Sequence, residues 1–227
     1  MSNNKLVVYG CGRMAETYSS FLQQNFEICA YTVTQELCVN DKINNLPLVP
    51  FEEIEKKYPP SEYNMLIAVG YIEMNDVREK ISQKVIDMGY SLVSYVSTDL
   101  MLHTNVSFGK NTVIFDKCSI HTNCEIGNNV FISSGVHIGH DCIIEDNVWI
   151  NSGVVIAGGV TIKQNCFLGI NSSIAHDVIL NNHVYVGANT LVTKSIDEYQ
   201  VITSDPGQVF LFNSKRYLKM AKVTASV

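Results

Sequence analysis

The chain has six histidines, the residue type best suited to proton transfer near neutral pH, and two of them directly precede an aspartate. The two pairs are His140-Asp141 and His176-Asp177. A neighbouring carboxylate can orient an imidazole and stabilise its charged form, which suits a general base that accepts a proton from a nucleophile. Residue types alone leave both pairs open. The remaining histidines are expected to be solvated: His103, His121, His137 and His183.

A repeat of six residues runs through the segment that holds these histidines. From Val96 to Val192, all seventeen positions at this spacing are large and apolar. A second register, two residues earlier, carries small or medium side chains and includes four of the seven cysteines. A period of six fits a short strand followed by a turn, repeated and stacked, better than an α-helix or a long strand. We therefore expect both registers to point into a narrow interior, where cysteine acts as a compact apolar residue.

This repeat resembles that of the hexapeptide-repeat acyltransferases. It covers residues 96–195 without a change of phase, and Gly often follows the large apolar residue. The resemblance implies a left-handed parallel β-helix with three hexapeptides per coil. It also implies a homotrimer with active sites between neighbouring subunits.

The first ninety residues read as a small α/β domain. Strands are predicted at 5–10, 27–33, 64–70 and 91–96, alternating with helices at about 16–24, 51–58 and 74–89. This order implies a small parallel, Rossmann-like sheet with covering helices. The expected organisation is an α/β domain at 1–95, a β-helix at 96–195, and a tail with a short C-terminal helix at 196–227.

A glycine turn between the first strand and the first helix presents backbone N–H groups to an anion. An NAD-binding fold expects an acidic residue at the end of the second strand, where this chain has Thr32, Val33 and Thr34. A turn that only packs the helix on the strand is also open. The interpretation we favour is a diphosphate-binding site for a nucleotide sugar. Its expected residues are Gly10, Gly12, Arg13 and Met14 in this turn, and Gly70 and Tyr71 in a second one.

The combination of this domain with an uninterrupted β-helix resembles the nucleotide-sugar N-acetyltransferases, as does the segment CFLGINSSI at 166–174. Relatives acetylate UDP-4-amino sugars of the bacillosamine pathway, GDP-perosamine and dTDP-4-amino-4,6-dideoxyglucose. The resemblance implies acetyl-CoA as donor and a dTDP-, UDP- or GDP-linked amino sugar as acceptor. Two departures are visible. Relatives often have Gly-His-Ala where this chain has Arg13-Met14-Ala15, and the tail lacks their Gly-x-Pro-Ala-Lys segment.

The same resemblance assigns roles in the β-helix. The catalytic base of relatives is a His followed by an acid upstream of the GINS-like segment, which matches His140-Asp141 and not His176. With 18 residues per coil, Gly158 should stack on His140, and its N–H is expected to bind the thioester oxygen, as the equivalent glycine does in relatives. Acetyl-CoA is expected to contact Ala157, Gly158, Gly169, Asn171, Ala175 and Lys194.

Other activities on this fold are open to different degrees. A sugar O-acetyltransferase of the sialic-acid type can use the same base, and a 3-amino sugar is as open as a 4-amino sugar. A γ-type carbonic anhydrase needs metal-binding histidines with four residues between two of them, whereas His137 and His140 have two between them. A binding scaffold without turnover is a further alternative, disfavoured by the His140-Asp141 pair beneath Gly158.

Composition excludes further classes. The net charge of −6, without a cluster of basic residues, argues against a nucleic-acid partner. No apolar stretch approaches the roughly 18 residues of a membrane span, and no signal peptide is evident. We therefore expect a cytoplasmic protein with no membrane partner. Because the cysteines are odd in number and unclustered, we also expect free thiols and no bound metal.

Overall fold

The computed structural model describes residues 4–221, which form an α/β domain and a β-helix. The α/β domain contains a five-stranded sheet in the order β3-β4-β2-β1-β5, in which only β3 and β4 are antiparallel. Its strands are β1 Lys5–Tyr9, β2 Glu27–Val33, β3 Lys42–Ile43, β4 Leu46–Pro50 and β5 Asn64–Ile67.

Three α-helices and two short 3-10 segments connect these strands. The helices are α1 Arg13–Leu22, α2 Ile54–Lys57 and α3 Asp76–Asp87, and the 3-10 segments are Gln35–Leu37 and Phe51–Glu53. The helix α1 buries Ala15, Tyr18, Ser19 and Leu22, the spacing expected of one helical face. The domain therefore has the predicted alternation of strands and helices around a mainly parallel sheet.

Two details differ from the sequence prediction. The hairpin of β3 and β4 was not predicted, because Leu46–Pro50 carries two prolines, which favour a turn over a strand. The segment 91–96 is not a single strand. Its first part makes one bridge, from Leu92 to Met65, while Tyr95–Val96 (β6) already pairs with the β-helix. The chain thus passes directly from one sheet into the other.

The β-helix consists of three parallel sheets, in which neighbouring strands are 18 residues apart, as His137 and Val155 are, except at the last coil, where Tyr185 pairs with Val201. This arrangement is the left-handed β-helix expected from the repeat. The strands that follow β6 are β7 Met101–Leu102, β8 Val106–Phe108, β9 Val113–Ile114, β10 Ser119–Ile120, β11 Cys124–Ile126, β12 Phe131–Ile132, β13 His137–Ile138, β14 Ile143–Ile144, β15 Trp149–Ile150, β16 Val155–Ile156, β17 Thr161–Ile162, β18 Phe167–Leu168, β19 Ser173–Ile174, β20 Ile179–Leu180, β21 Tyr185–Val186, β22 Leu191–Val192 and β23 Val201–Ile202.

Both registers of the repeat fill the interior. The large residues are buried from Ile114 to Val192, and the four cysteines of the small register are buried among them. Each of these thiols donates a hydrogen bond to a backbone carbonyl, as Cys124 does to Gly139 at 3.0 Å. Leu102 and Phe108 are exposed, contrary to the prediction, because they lie in the first coil, where less of the interior is covered.

The α/β domain packs on the outer face of the third sheet, which contains β6, β9, β12, β15, β18, β21 and β23. Aromatic side chains form a column on this face, with Phe131 stacked on Trp149 and Phe167 on Tyr185. Tyr18 of α1 stacks on Phe131. This packing fixes the orientation of the α/β domain relative to the β-helix.

The described part of the tail, up to residue 221, is mostly exposed. It contains the short helix α4, Ser214–Met220, whose first turn is capped by the Asn213 side chain. Within residues 4–221, no helix is both long enough and apolar enough to cross a bilayer.

Candidate active site

His140 lies at the corner between β13 and β14, where its side chain is 57% exposed. Its Nδ1 lies 2.7 Å from Asp141 Oδ2, and Asp141 Oδ1 accepts a hydrogen bond from Asn123 Nδ2 at 2.9 Å. Because an ionised carboxylate can only accept, Nδ1 must be the donor, which leaves the lone pair on Nε2. This is the tautomer that a general base needs.

The backbone and the neighbouring coil hold Asp141 in place. Asp141 has a φ of +57°, a left-handed conformation that Asp and Asn tolerate better than most residues. The hydrogen bond from Asn123, then that from His140, lowers the pKa of the Asp141 carboxyl. The Asp141 carboxyl is therefore ionised near neutral pH, where a histidine can act as a base.

Gly158 lies one coil above His140, as the 18-residue period predicts. A Cβ on Gly158 would come within 2.6 Å of both Nε2 and Cε1 of the imidazole, so that only glycine fits beside the ring. The backbone of the same corner is anchored from both sides, since Gly159 N–H donates to His140 O and Asp177 N–H donates to Gly158 O. Gly158 is buried beside the ring, and among residues 4–221 no acceptor bonds to its N–H.

The structure separates the two His-Asp pairs that the sequence left equivalent. His176 occupies the same corner two coils above His140, but within the described chain it has no hydrogen bond to Asp177. The Asp177 carboxylate instead lies against Gly159. Of the two histidines, only His140 is therefore both oriented by an acid and placed beside a glycine whose N–H has no acceptor in the described chain.

Three more histidines lie close to His140 on the same face. His103 and His121 have ring centroids 4.7 Å apart, and His121 and His137 are 5.1 Å apart. Partial desolvation, together with the charges of His103, His137 and His140, lowers the pKa of His121. In the part of the chain that is described, no group of three or more His, Cys, Asp or Glu side chains has the geometry of a metal site.

The residues expected to contact acetyl-CoA fall into two groups. Gly158 and Lys194 share the corner of His140, and Ala157 and Ala175 lie at the adjoining ends of β16 and β19. Gly169 and Asn171 lie instead at the corner between β18 and β19, at the other edge of the same sheet. A single chain therefore does not bring all six residues together.

A second candidate site is a pocket of about 580 Å³ in the α/β domain. It lies at the carboxyl ends of β4, β2, β1 and β5, the edge where ligands bind in open parallel sheets. Five of the residues predicted to bind the nucleotide sugar line this pocket: Gly10, Gly12, Arg13, Met14 and Gly70. Tyr71 does not. Its ring packs on Trp149 and Phe167, at centroid distances of 5.5 and 4.5 Å, because the aromatic column lies beneath it.

The glycine turn that forms the floor of the pocket is shaped by close backbone packing. Gly10 has a φ of +142°, and a Cβ there would come within 2.7 Å of the Ala68 carbonyl oxygen. Gly12 is the N-cap of α1 and leaves the first turn without a side-chain cap. The first N–H groups of α1 are therefore open to an anion in the pocket.

Sequence reasoning missed four residues around these sites. Lys80 and Lys84 of α3 line the pocket beside the glycine turn, and their spacing of four on a predicted helix could have placed them on one face. Asn123 supports Asp141 from the coil below, a contact that the 18-residue period could have revealed. Glu52 lines the opposite end of the pocket, and no motif in the sequence marks it.

Sequence comparisons agree with the repeat. The family described as bacterial transferase hexapeptide (six repeats) matches residues 141–169 and 160–194, and the hexapeptide repeat of succinyl-transferase matches residues 117–152. A comparison with curated protein sequences finds no match.

Solved structures match nearly the whole chain. The acetyltransferase domain of PglB from Neisseria gonorrhoeae is 17% identical, with a TM-score of 0.80, over 92% of this chain and 100% of that one. PerB from Caulobacter crescentus, solved with CoA and GDP-perosamine, is 20% identical, with a TM-score of 0.78, over 88% of this chain and 94% of that one. WeeI from Acinetobacter baumannii is also 20% identical, with a TM-score of 0.78, over 90% and 99%.

These matches span both the α/β domain and the β-helix, so that the shared fold extends beyond the repeat itself. The chain thus shares the two-part fold of these solved structures, and its repeat matches hexapeptide-transferase family models over residues 117–194.

Proposed function

We propose that this protein transfers an acetyl group from acetyl-CoA to the amino group of a nucleotide-linked amino-deoxy sugar, with C4 as the position acetylated. The observation that carries the proposal is the imidazole of His140, oriented by Asp141 and placed against Gly158. The solved structures of similar fold include PglB with acetyl coenzyme A and PerB with CoA and GDP-perosamine, which supports both substrates.

The geometry suits attack of an amine on a thioester. The nitrogen of the sugar amine bonds to the thioester carbonyl carbon, and His140 Nε2 accepts the proton that this nitrogen loses. The Gly158 N–H donates a hydrogen bond to the developing oxyanion. When the C–S bond breaks, the imidazolium returns its proton to the leaving thiolate, so that the products are an amide and CoA. Asp141 stabilises the imidazolium in between.

Acetyl-CoA would lie along the His140 corner, with its thioester at Gly158 and the rest of the molecule running past Ala157 and Ala175 towards Lys194. Lys194 follows Gly158 by two coils on the same corner and supplies a positive charge for the CoA phosphates. Gly169 and Asn171, at the other edge of the sheet, would belong to the site of a neighbouring subunit.

The nucleotide sugar would occupy the α/β pocket, with its diphosphate at the glycine turn and the first turn of α1. This turn and the Gly70 turn supply backbone N–H groups, and Arg13 supplies a charged donor.

The two sites face apart within one chain. The α/β domain covers the third sheet, whereas His140 lies at the corner between the other two sheets, opposite that face. A sugar held in the pocket of one subunit would therefore meet His140 of another. This separation supports a homotrimer whose active sites lie between subunits.

Incubation with acetyl-CoA and a panel of UDP-, dTDP- and GDP-linked 3- and 4-amino-6-deoxy sugars tests the reaction, with release of the CoA thiol as the signal. Release with a 4-amino member, and N-acetylation of the product seen by NMR, is the expected result. Release only with 3-amino members would show that the amine at C3, and not at C4, is acetylated. Binding of acetyl-CoA without turnover on any amine would instead favour transfer to a hydroxyl, for which the same base is suitable.

Mixed oligomers test the shared site. A His140→Asn subunit and an Arg13→Ala, Lys80→Ala subunit should each be inactive alone, while a 1:1 mixture refolded together should regain about a quarter of the wild-type rate if each site combines two chains at random. A mixture that stays inactive, from subunits shown to assemble, would place both sites in one chain.

A further inference from the structure

The α/β pocket is electrically polarised from one end to the other. Lys80 and Lys84 of α3 line the end formed by the loops after β1 and β5, where the glycine turns lie. Lys80 Nζ also lies 3.9 Å from Glu73 Oε2, in an ion pair that is largely exposed to solvent. Glu52, in the 3-10 segment after β4, lines the other end. Since the strand order is β4-β2-β1-β5, the acid and the two lysines stand at opposite ends of the strand edge. A diphosphate would be drawn to the lysines and repelled by Glu52.

Apolar side chains line both ends of the pocket, the acidic end included. Val33, Leu37 and Phe51 line the pocket beside Glu52. The Phe51 ring packs edge-on against Tyr9 at a centroid distance of 5.0 Å, which fixes its position. Flat apolar walls with one polar group at the rim suit the faces and the edge of a nucleobase.

The Glu52 carboxylate is held so that one of its oxygens is free. Oε2 accepts a hydrogen bond from the backbone N–H of Gln35 at 3.1 Å, which joins the loops after β2 and β4. The Glu52 side chain is exposed, and among the described residues no donor bonds to Oε1. An oriented carboxylate oxygen beside a base-sized apolar wall can only accept a hydrogen bond.

We propose that Glu52 reads the base of the nucleotide sugar and selects bases that carry a ring N–H. The inference rests on the proposed function, because it takes the pocket to hold a nucleoside diphosphate. Uracil and thymine present N3–H, and guanine presents N1–H, to a carboxylate. Cytosine N3 and adenine N1 are acceptors, so a base held in the same position would set a lone pair against Oε1, and its neighbouring amino group could reach the carboxylate only if the base shifted. A site that leaves two acceptors facing each other rejects the ligand more strongly than a site that merely lacks a contact.

Calorimetric titration with UDP, dTDP, GDP, CDP and ADP tests this selection on the full-length protein. The closest comparison is UDP with CDP, which differ only at N3 and at the group on C4. At least one of UDP, dTDP and GDP should bind about tenfold or more tightly than both CDP and ADP, the range of a hydrogen bond to a charged group. Equal binding of CDP and the tightest of the three would overturn the role of Glu52 while leaving the nucleotide site in place.

The Glu52→Gln variant keeps an oxygen for the Gln35 N–H and replaces the free acceptor with an amide that can donate to cytosine N3. It should bind the preferred nucleotide about tenfold more weakly and narrow or reverse the preference over CDP. Glu53→Gln, an exposed acid one residue further on and outside the pocket lining, is the matched control and should leave the preference unchanged. An unchanged preference in Glu52→Gln would overturn the inference. Failure of all five nucleotides to bind wild-type protein would overturn the nucleotide site as well.

Discussion

The imidazole of His140 lies against the Cα of Gly158, one coil of the β-helix further along the chain, so closely that a Cβ there would be 2.6 Å from Nε2. The imidazole and the Gly158 N–H, which are the base and the oxyanion donor of the proposed reaction, are therefore neighbours because of the 18-residue register. Substitutions at the two positions can test the role of the ring and the role of the glycine in turn.

Replacement of His140 by Asn should abolish the base while the fold is retained. We expect the rate of acetyl transfer to fall by about two to four orders of magnitude, the usual contribution of general base catalysis. Acetyl-CoA binding, followed by calorimetry, should change little. His176→Asn is the matched control, since His176 shares the corner and also precedes an aspartate. Comparable losses in both variants would show that His140 has no special role.

Replacement of Gly158 by Ala should displace the His140 ring while keeping the backbone N–H. The added Cβ collides with Nε2 and Cε1, so kcat should fall by roughly tenfold to a hundredfold through misplacement of the base. Thermal unfolding should stay close to that of the wild type. Gly207→Ala, where a Cβ meets nothing within 4 Å, controls for the substitution. A fully active Gly158→Ala protein would show that the contact does not position the base.

Removal of the lysines at the phosphate end of the pocket should weaken nucleotide binding. We expect the Lys80→Ala, Lys84→Ala protein to bind its nucleoside diphosphate about tenfold or more weakly, with a smaller dependence on salt, because two charges near the diphosphate are lost. The exposed pair Lys56 and Lys57 of α2, which lies outside the pocket, supplies the control double variant. An equal loss of affinity in the two double variants would show that the overall charge of the protein, and not the position of Lys80 and Lys84, affects nucleotide binding.

Asp76 connects α3 with the β-helix and should make the joined structure sensitive to acid. Its Oδ1 lies 3.0 Å from His183 Nε2 and accepts a hydrogen bond from Asn165 at 2.7 Å. Burial raises the pKa of Asp76, but the hydrogen bonds from His183 and Asn165 outweigh it, so that the net pKa is lowered. A folded-state pKa below the unfolded one stabilises the protein above the unfolded pKa, and the stabilisation is lost as the pH falls through the folded value.

Urea unfolding of wild type and Asp76→Asn at several pH values measures this contribution. The variant should be about 1 kcal/mol less stable at pH 7, and the difference should shrink as the pH is lowered from about 4 towards 2. Asp99→Asn is the control, because the Asp99 carboxylate forms no ion pair within the described chain. A difference that stays constant across this range would show that the charge of Asp76 does not contribute.

A ladder of buried asparagines supports the corner of the β-helix that faces the α/β domain. Asn111, Asn129, Asn147 and Asn165 each hydrogen-bond to the next, at 2.6 to 3.1 Å, and the first accepts a hydrogen bond from the Ile67 N–H. All four have a positive φ. The ladder thus joins β5 of the α/β domain to α3 through the β-helix.

Two substitutions at Asn129 separate the ladder from the backbone conformation. Asn129→Gly tolerates the φ of +58° and loses only the ladder, so we expect a loss of about 1–3 kcal/mol from the unpaired neighbours. Asn129→Ala adds the strain of a positive φ and should be about 1 kcal/mol less stable than Asn129→Gly. Chemical unfolding of both variants checks the order. A fully stable Asn129→Gly protein would assign the ladder no energetic role.

The sequence determines the β-helix because its information is local and repeated. A large apolar residue every six positions, and a small one two places earlier, can be buried only by stacking coils, and this in turn places Gly158 over His140. The pair His140-Asp141 is readable for the same reason, since its members are adjacent. The strand Leu46–Pro50 was not predicted because its two prolines are typical of turns. In the fold it is stabilised by pairing with the neighbouring β2.

Tertiary structure alone decided what distant segments do together. His183 meets Asp76 across 107 residues, Tyr71 turns away from the pocket onto Trp149, and Glu52 reaches the pocket from the loop after β4. None of these contacts has a periodic signal, because each arises from the packing of the α/β domain on the aromatic face or from the order of strands in its sheet. The same packing places the α/β pocket and His140 on opposite sides of one chain, a separation that no local pattern in the sequence encodes.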